Sequence, residues 1–474
     1  MSASPVRQHV METSDEAFAT SLPRSYCRPE TDASTWRTTL SMMAADIVAL
    51  SIVYWLSVII RRIVTPGDIR FYLELFPGAT LFIIVFAIHG LYPGVLVHPA
   101  EEIRRVFHGI SIVFLLVLCT TFLGHNAESY SRSIVMVTWL LGVPAVLLAR
   151  MFARRTLSRY PWWGVPAVVF GSGPSAMRIL KALTDRKLGI RVLAVVPRDF
   201  LTSTRPVVAH YAILADPPSK AAFNQMIQDQ CKGYRHVLLV PDIPSMCSLG
   251  ITARDIGGEI GLEVPQRLCH RSAAMAKRVI DLLLTLPGLV ALSLVFLFIA
   301  LIIKLTSKGP VFYGHTRHGR DGSTFVALKF RTMYENGELI LWEHFRQFPE
   351  EFKTWNRDRK LKRDPRVTPV GRWLRRSSLD ELPQLCNVLM GQMSLVGPRP
   401  IVSAEVAEYG HGYDLYGRVR PGITGLWQVS GRNNTTYSER VAFDEYYVRN
   451  WSIWLDIYIL VRTAKAVLYA EGAY

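Results

Sequence analysis

Residues 279–303 read VIDLLLTLPGLVALSLVFLFIALII. Twenty-five residues carrying one charge, Asp281, are long enough for a helix to cross the roughly 30 Å hydrocarbon core of a bilayer. The centre of the block, Leu286-Pro287-Gly288, argues against a plain span, because a mid-helix proline removes a backbone hydrogen bond and bends the helix. Lys277-Arg278 precede the block, and Lys304 and Lys308 follow it. Basic residues at both ends fit poorly with ends on opposite membrane faces. A helix that enters one leaflet, breaks at Pro287 and returns satisfies both features, but spanning helices also tolerate proline. Local sequence leaves re-entrant and spanning readings open.

Upstream lie four more apolar blocks, Leu40–Ile60, Phe71–Tyr92, Val106–Leu123 and Ser133–Phe152. Their short connections predict an up-and-down four-helix transmembrane bundle over 40–152, preceded by a polar tail over 1–39 with no visible cleavable signal. With the N-terminus inside, the inner flanks hold Arg24, Arg28, Arg37, Arg104, Arg105, Arg150, Arg154, Arg155 and Arg159, against Arg61, Arg62, Arg70 and Arg132 outside. Nine against four predicts a cytoplasmic N-terminus and a cytoplasmic continuation after the fourth helix. Asp46, Glu74 and His89 interrupt the first two blocks and are expected near helix ends or facing other helices, rather than forming a proton path.

Between the membrane blocks, 164–270 reads as an α/β module of Rossmann-like type. Val165–Phe170 is a buried strand, Gly171-Ser-Gly-Pro-Ser-Ala176 a turn opening a helix, and Val192–Val196 and Val237–Val240 further parallel strands. The glycine turn suits either a pyrophosphate or close strand–helix packing.

Half of the 474 residues are hydrophobic, yet the chain carries +16. The apolar residues come in blocks, which excludes a purely soluble or disordered chain. The charge points to an acidic partner. Its densest source is 357–376, with nine Lys/Arg against Asp358 and Asp364. Nucleic acid is a poor reading for a run that forms no face in a membrane protein. The six cysteines include no Cys-x-x-Cys and suit a reducing compartment. His315-x-x-His318 offers too few ligands for a metal, and Tyr447–Leu468 suits either a headgroup-layer helix or a core helix.

The basic region leads into Ser378-Leu-Asp380-Glu381-Leu-Pro-Gln384. As structure, Ser378 and Glu381 have the spacing of a capping box. As chemistry, two adjacent carboxylates follow Arg372, Arg375 and Arg376, come after Lys329-Phe-Arg331 and precede Gly397-Pro-Arg399-Pro400. Cations favour ionised carboxylates. One could attack phosphorus, and the other could hold Mg²⁺ beside a substrate diphosphate neutralised by Arg and Lys.

Lys277-Arg278…Asp281, Gly309-Pro-Val-Phe312, Arg317-x-Gly319, Lys329-Phe-Arg-Thr-Met333, Asp364-Pro-Arg-Val-Thr368, Ser378–Gln384, Met393-Ser-Leu-Val-Gly-Pro-Arg-Pro400 and Pro421-Gly-Ile-Thr-Gly-Leu-Trp-Gln428 occur in this order. In that order they resemble the bacterial sugar transferases, the monotopic polyprenyl-phosphate hexose-1-phosphate transferases. The likeness covers 271–474. The resemblance implies a mainly α catalytic domain with a re-entrant membrane helix at 279–303. It implies transfer of a hexose-1-phosphate from a UDP-sugar to undecaprenyl phosphate at the inner face of the bacterial cytoplasmic membrane, yielding UMP. The likeness is nearest to the undecaprenyl-phosphate galactose phosphotransferases, through Tyr313-Gly-His315 and the terminal Gly472-Ala-Tyr474, and this overall likeness favours galactose over glucose, although no single residue discriminates the 4-epimers. It further implies Asp380 as nucleophile, Glu381 as Mg²⁺ ligand, and Lys329, Arg331, Arg375, Arg376 and Arg399 on phosphates, with Gln428 and Arg432 contacting nucleotide. Membrane lipids are partners, and a homodimer is left open. His315 departs from the glutamine common in the family, so its role stays open.

Two other readings compete. A nucleotide-sugar dehydratase would need a Tyr-x-x-x-Lys pair, and none of the 19 tyrosines has one. A scaffold or regulator of polysaccharide assembly would not need the Asp380-Glu381 site, although it would suit the α/β module alone.

Overall fold

The computed structural model describes residues 35–64, 79–123, 132–171, 174–183, 188–196, 209–215, 234–240, 252–256, 259–263, 271–358, 361, 364–430 and 435–468. The chain divides into two compact units, Met1–Pro244 and Ser245–Tyr474.

In the first unit, α1 (Trp36–Val64), α2 (Ala79–Ile88), α3 (Pro99–Leu123) and α4 (Arg132–Leu157) account for the apolar blocks. Three stretches, Trp36–Ile63, Pro99–Thr120 and Ile134–Leu157, are long and apolar enough to cross a membrane. Only the 79–88 part of the second block is a described helix, and Glu74 lies outside the described residues. Leu50, Phe86, Ile110 and Val146 form the shared core. Asp46 does face another helix. It accepts from Arg150 Nε at 2.8 Å and Nη2 at 2.6 Å, and from the Tyr92 hydroxyl at 2.7 Å. Arg150 also reaches Glu102 at 3.1 Å, and Arg154 meets the same carboxylate at 2.6 Å. Two acids and two arginines thus close a neutral cluster where isolated charges would be very costly. His89 sits at the end of α2, with Nδ1 3.0 Å from the Val85 carbonyl.

The α/β part of this unit is a four-stranded sheet of β1 (Val165–Phe170), β2 (Ile190–Val196), β3 (Tyr211–Leu214) and β4 (His236–Leu239), ordered β2-β1-β3-β4 and parallel throughout. Every residue of β1 is buried, as a central parallel strand requires. Gly171, at φ +147, follows β1, and α5 (Pro174–Leu183) packs Ala176, Leu180 and Leu183 against the sheet. Residues 172–173 of the glycine turn, and 197–208 after the second strand, lie outside the described residues.

The second unit opens with an antiparallel pair, β5 (Thr252–Ile256) and β6 (Glu259–Glu263). By sequence these strands belong with the α/β module, but the unit boundary at Pro244/Ser245 places them here. Next comes α6 (Arg271–Thr306), a 36-residue helix containing Pro287. Its first turns are tied down by polar contacts. Lys277 Nζ meets Asp456 at 2.7 Å, Arg278 donates to the Val388 and Leu389 carbonyls, and Asp281 accepts from Ser394 at 2.8 Å. Its last turns are held by apolar ones, with Ile299 and Ile303 packing on Phe330 and Leu374. From Leu286 to Val295 no side chain is buried.

Strands β7 (Phe312–His318) and β8 (Thr324–Phe330) form an antiparallel hairpin. Helices α7 (Gly337–Gln347) and α8 (Pro349–Asp358) share an aromatic cluster of Trp342, Phe345, Phe352 and Trp355. After them come α9 (Pro369–Ser377), α10 (Gln384–Leu389), and a short parallel pair of β9 (Ser394–Val396) and β10 (Gly422–Thr424). Three helices close the unit: α11 (Leu426–Ser430), α12 (Tyr437–Asn450) and α13 (Ile453–Leu468). Helix α13 buries Leu455, Asp456 and Ile459 while leaving Val461 exposed, so at least one of its faces is core. Asn387 stitches α10 to β8, accepting from the Leu328 N–H at 2.9 Å and donating to the Val326 carbonyl at 2.8 Å. Both anchored ends of α6 are therefore fixed to one body.

Candidate active site

The carboxylate pair is presented by a chain reversal rather than by a helix start. Thr368 caps α9, its hydroxyl accepting from the Gly371 N–H at 2.8 Å, with Pro369 in the first turn. Ser378 ends that helix in the left-handed region at φ +58, and its N–H returns to the Arg375 carbonyl. The capping-box expectation for Ser378 and Glu381 is thereby corrected, because Ser378 makes no side-chain cap and Leu379–Glu381 is a single 3₁₀ turn. Leu379 and Leu382 pack on the Phe330–Leu374 cluster. Their burial turns the intervening Asp380 and Glu381 toward Lys329 at the end of β8.

Lys329 Nζ lies 2.5 Å from Glu381 Oε1 and 3.9 Å from Asp380 Oδ2. The two carboxyls are driven apart. Burial, aided by the neighbouring Glu381 charge, pushes Asp380 up to about 6, against the pull of Lys329 and Arg375. Burial also acts on Glu381, but Lys329, Arg399 and Arg317 outweigh it and hold that carboxyl below its usual range. One acid is thus firmly ionised while the other sits near the working pH, a separation that marks distinct chemical roles.

The remaining expected residues are not all gathered here. Arg375 acts on Asp380 electrostatically while its Nε donates to Thr332 Oγ1 at 2.9 Å. Arg376 is exposed on α9. Arg399 is exposed, its charge reaching Glu381 and its guanidinium carbon 5.7 Å from the Trp427 ring centre. Arg331 instead points to the end of α6, where Nη2 donates to the Ser307 carbonyl and hydroxyl at 2.9 and 2.8 Å. Gln428 Nε2 donates to the Ile423 carbonyl at 3.4 Å. Arg432 lies outside the described residues. Pro287 lies within α6, 93 positions before Asp380.

Arg317 joins the site although its local sequence does not point there. The β7–β8 hairpin carries it to the dyad, where it donates to the Pro400 carbonyl at 3.3 Å and faces both Glu381 and Arg399. Its signal was present only as part of the Arg317-x-Gly319 motif, because nothing local connects it to residues 63 positions later. His318 contacts Ser403 and Tyr413, whereas His315 is near the Thr316 carbonyl. Among the described residues no cluster of three or more His, Cys, Asp or Glu could hold a metal on protein ligands alone. Glu381 nonetheless has a second oxygen without a hydrogen bond among the described residues. That oxygen is a hard donor of the kind that Mg²⁺ would take together with substrate phosphate oxygens and water.

A half-buried, lysine-bound acid pair ringed by arginines, on a domain anchored to a long apolar helix, marks a phosphate-handling membrane enzyme. The bacterial sugar transferase family profile matches residues 272–470. The chain is 34% identical over 397 residues to the undecaprenyl-phosphate galactose phosphotransferase of Salmonella typhimurium, covering 79% of this chain and 82% of the relative. The UDP-glucose:undecaprenyl-phosphate glucose-1-phosphate transferase of Xanthomonas campestris is 31% identical over 412 residues, covering 82% and 78%. The exopolysaccharide production protein ExoY of Sinorhizobium fredii is 50% identical over 200 residues, 42% of this chain but 88% of the relative. The chain belongs to the bacterial sugar transferase family.

Proposed function

We propose that this protein transfers a hexose-1-phosphate, galactose-1-phosphate first among the choices, from a UDP-sugar to undecaprenyl phosphate. The observation that carries the reading is the half-buried Asp380 beside a Glu381 locked to Lys329. An Asp380 oxygen attacks the sugar-bearing phosphorus. The bond from that phosphorus to the bridging oxygen breaks, UMP leaves with the electron pair, and an aspartyl phospho-sugar forms. A phosphate oxygen of undecaprenyl phosphate then attacks the same phosphorus, and Asp380 departs as carboxylate. Neither step creates or consumes a proton at the reacting phosphorus. Lys329, Arg317 and Arg399 neutralise the diphosphate around Glu381. Mg²⁺ held by Glu381 and diphosphate oxygens would add charge neutralisation to the same region.

The re-entrant reading of α6 is supported by its two anchored ends on one body and by the unburied stretch centred on Pro287-Gly288. It puts both phosphates at one headgroup plane, on the cytoplasmic face of the inner membrane by the basic-flank asymmetry. In a cysteine-free background, cysteines at Met275 and Lys308 are expected to react with an impermeant maleimide from the same side. Labelling from opposite sides would rule out re-entrance. The Rossmann-like reading of the first unit is supported by its parallel sheet and by Gly171 after β1.

The direct test is UMP release with undecaprenyl phosphate and a panel of UDP-sugars. The expected order places UDP-galactose ahead of UDP-glucose. Release with no sugar in the panel would remove the reading. Lys329→Met should lower kcat/KM about 100-fold and move its acid limb above pH 6, because the lost cation favoured ionised Asp380. An unshifted limb would separate Lys329 from the nucleophile.

A further inference from the structure

Helix α12 lies outside the motifs that carry the dyad, yet it contributes to the arginine cluster. The guanidinium carbon of its Arg440 is 4.8 Å from the Trp427 ring centre, and that of Arg399 is 5.7 Å from the same centre. The two carbons are therefore at most 10.5 Å apart. Trp427 is buried beneath them, Arg440 is half-buried and Arg399 is exposed. Among the described residues neither guanidinium has a carboxylate within 4.0 Å. The one hydrogen bond from the Arg440 side chain among the described residues is a long one, Nε to Thr435 Oγ1 at 3.4 Å. The indole ring attracts both cations. One turn further on, the carboxylate of Asp444 is buried, accepts from the Tyr409 hydroxyl at 2.7 Å, and faces the backbone N–H of Arg399. A single helix thus places Arg440 and braces the segment bearing Arg399. Arg399 in turn acts on Glu381, so the Trp427 ring links Arg440 to an arginine that borders the dyad.

We propose that Arg440 is a further substrate-binding residue, forming with Arg399 a two-armed clamp on Trp427 for a phosphate group of the reacting diphosphate. This rests on the transfer reaction proposed above. The phosphate belongs either to the nucleotide or to the lipid, and kinetics distinguish them. In the full-length protein, Arg440→Gln should raise one KM about tenfold, the fold-change expected for one lost charge-assisted hydrogen bond, with kcat within threefold. A higher KM for UDP-galactose assigns the clamp to the nucleotide, and a higher KM for undecaprenyl phosphate assigns it to the lipid. Arg440→Lys, which keeps the charge, should recover part of the loss. The proposal is overturned if both KM values stay within twofold of wild type, or if the lysine variant is as impaired as glutamine. Should wild type release no UMP, the reaction fails independently. Calorimetry with UDP and with undecaprenyl phosphate then still reads the clamp: weaker binding of either to Arg440→Gln supports it, and equal binding of both overturns it.

Discussion

Asp380→Asn is expected to abolish UMP release, by on the order of 10⁴-fold or more, while the protein stays in the membrane and folds. The size follows from removing a nucleophile, whose loss leaves only binding and electrostatics to act. In wild type the same residue should set the acid limb of kcat/KM. With Asp380 pushed up to about 6, the reactive carboxylate is lost as pH falls through that value, and the rate should drop tenfold per unit below it. The stability consequence has the opposite sign. An acid raised from 3.8 to about 6 binds more protons folded than unfolded across that window, so its contribution to stability falls as pH rises through it. Asparagine cannot ionise, and Asp380→Asn should be more stable than wild type at pH 7.5, by on the order of 3 kcal/mol, and should unfold at a higher temperature. Near-normal UMP release from purified Asp380→Asn, or a phospho-sugar adduct trapped on another residue, would remove the nucleophile assignment.

The parts of this protein that were legible in the sequence are those governed by local periodicity. Val165–Phe170 is an uninterrupted apolar run, and a run of that length with a glycine after it has few options other than a buried parallel strand. The membrane blocks were legible for the same reason, although α6 extends to Arg271 and Thr306 because its polar ends continue the helix outside the apolar stretch. What was not legible depends on contacts between distant residues. Ser378 has the spacing of a cap, but Pro369 starts the preceding helix early enough that Ser378 ends it instead. Arg331 and Lys329 lie two residues apart, yet one reaches Ser307 and the other the dyad, and no pattern in the chain separates them. Arg317 approaches Glu381 from a hairpin and Arg440 reaches Trp427 from a late helix, so only the assembled fold relates them to those residues.

The four-residue cluster of the first unit shows the same non-locality and supports the largest stability effect. Arg150 is fully buried and meets both Asp46 oxygens, Glu102 and the Leu91 carbonyl. Arg150→Met would leave Glu102 with Arg154 but strip Asp46 of its only ion pair among the described residues, keeping just the Tyr92 hydroxyl. Breaking a buried pair on one side costs about 3–5 kcal/mol, most of it from the charge left behind. Removing both charges costs far less, since what remains, Glu102 with Arg154, is neutral. Asp46→Leu with Arg150→Met should therefore regain most of the stability lost in the single variant. Unfolding in a detergent titration checks the pair, and the decisive quantity is the coupling between the two substitutions. Equal destabilisation of the single and double variants would show that packing, including the stacking of Arg150 on Phe86 and Tyr92, holds these helices together rather than charge balance.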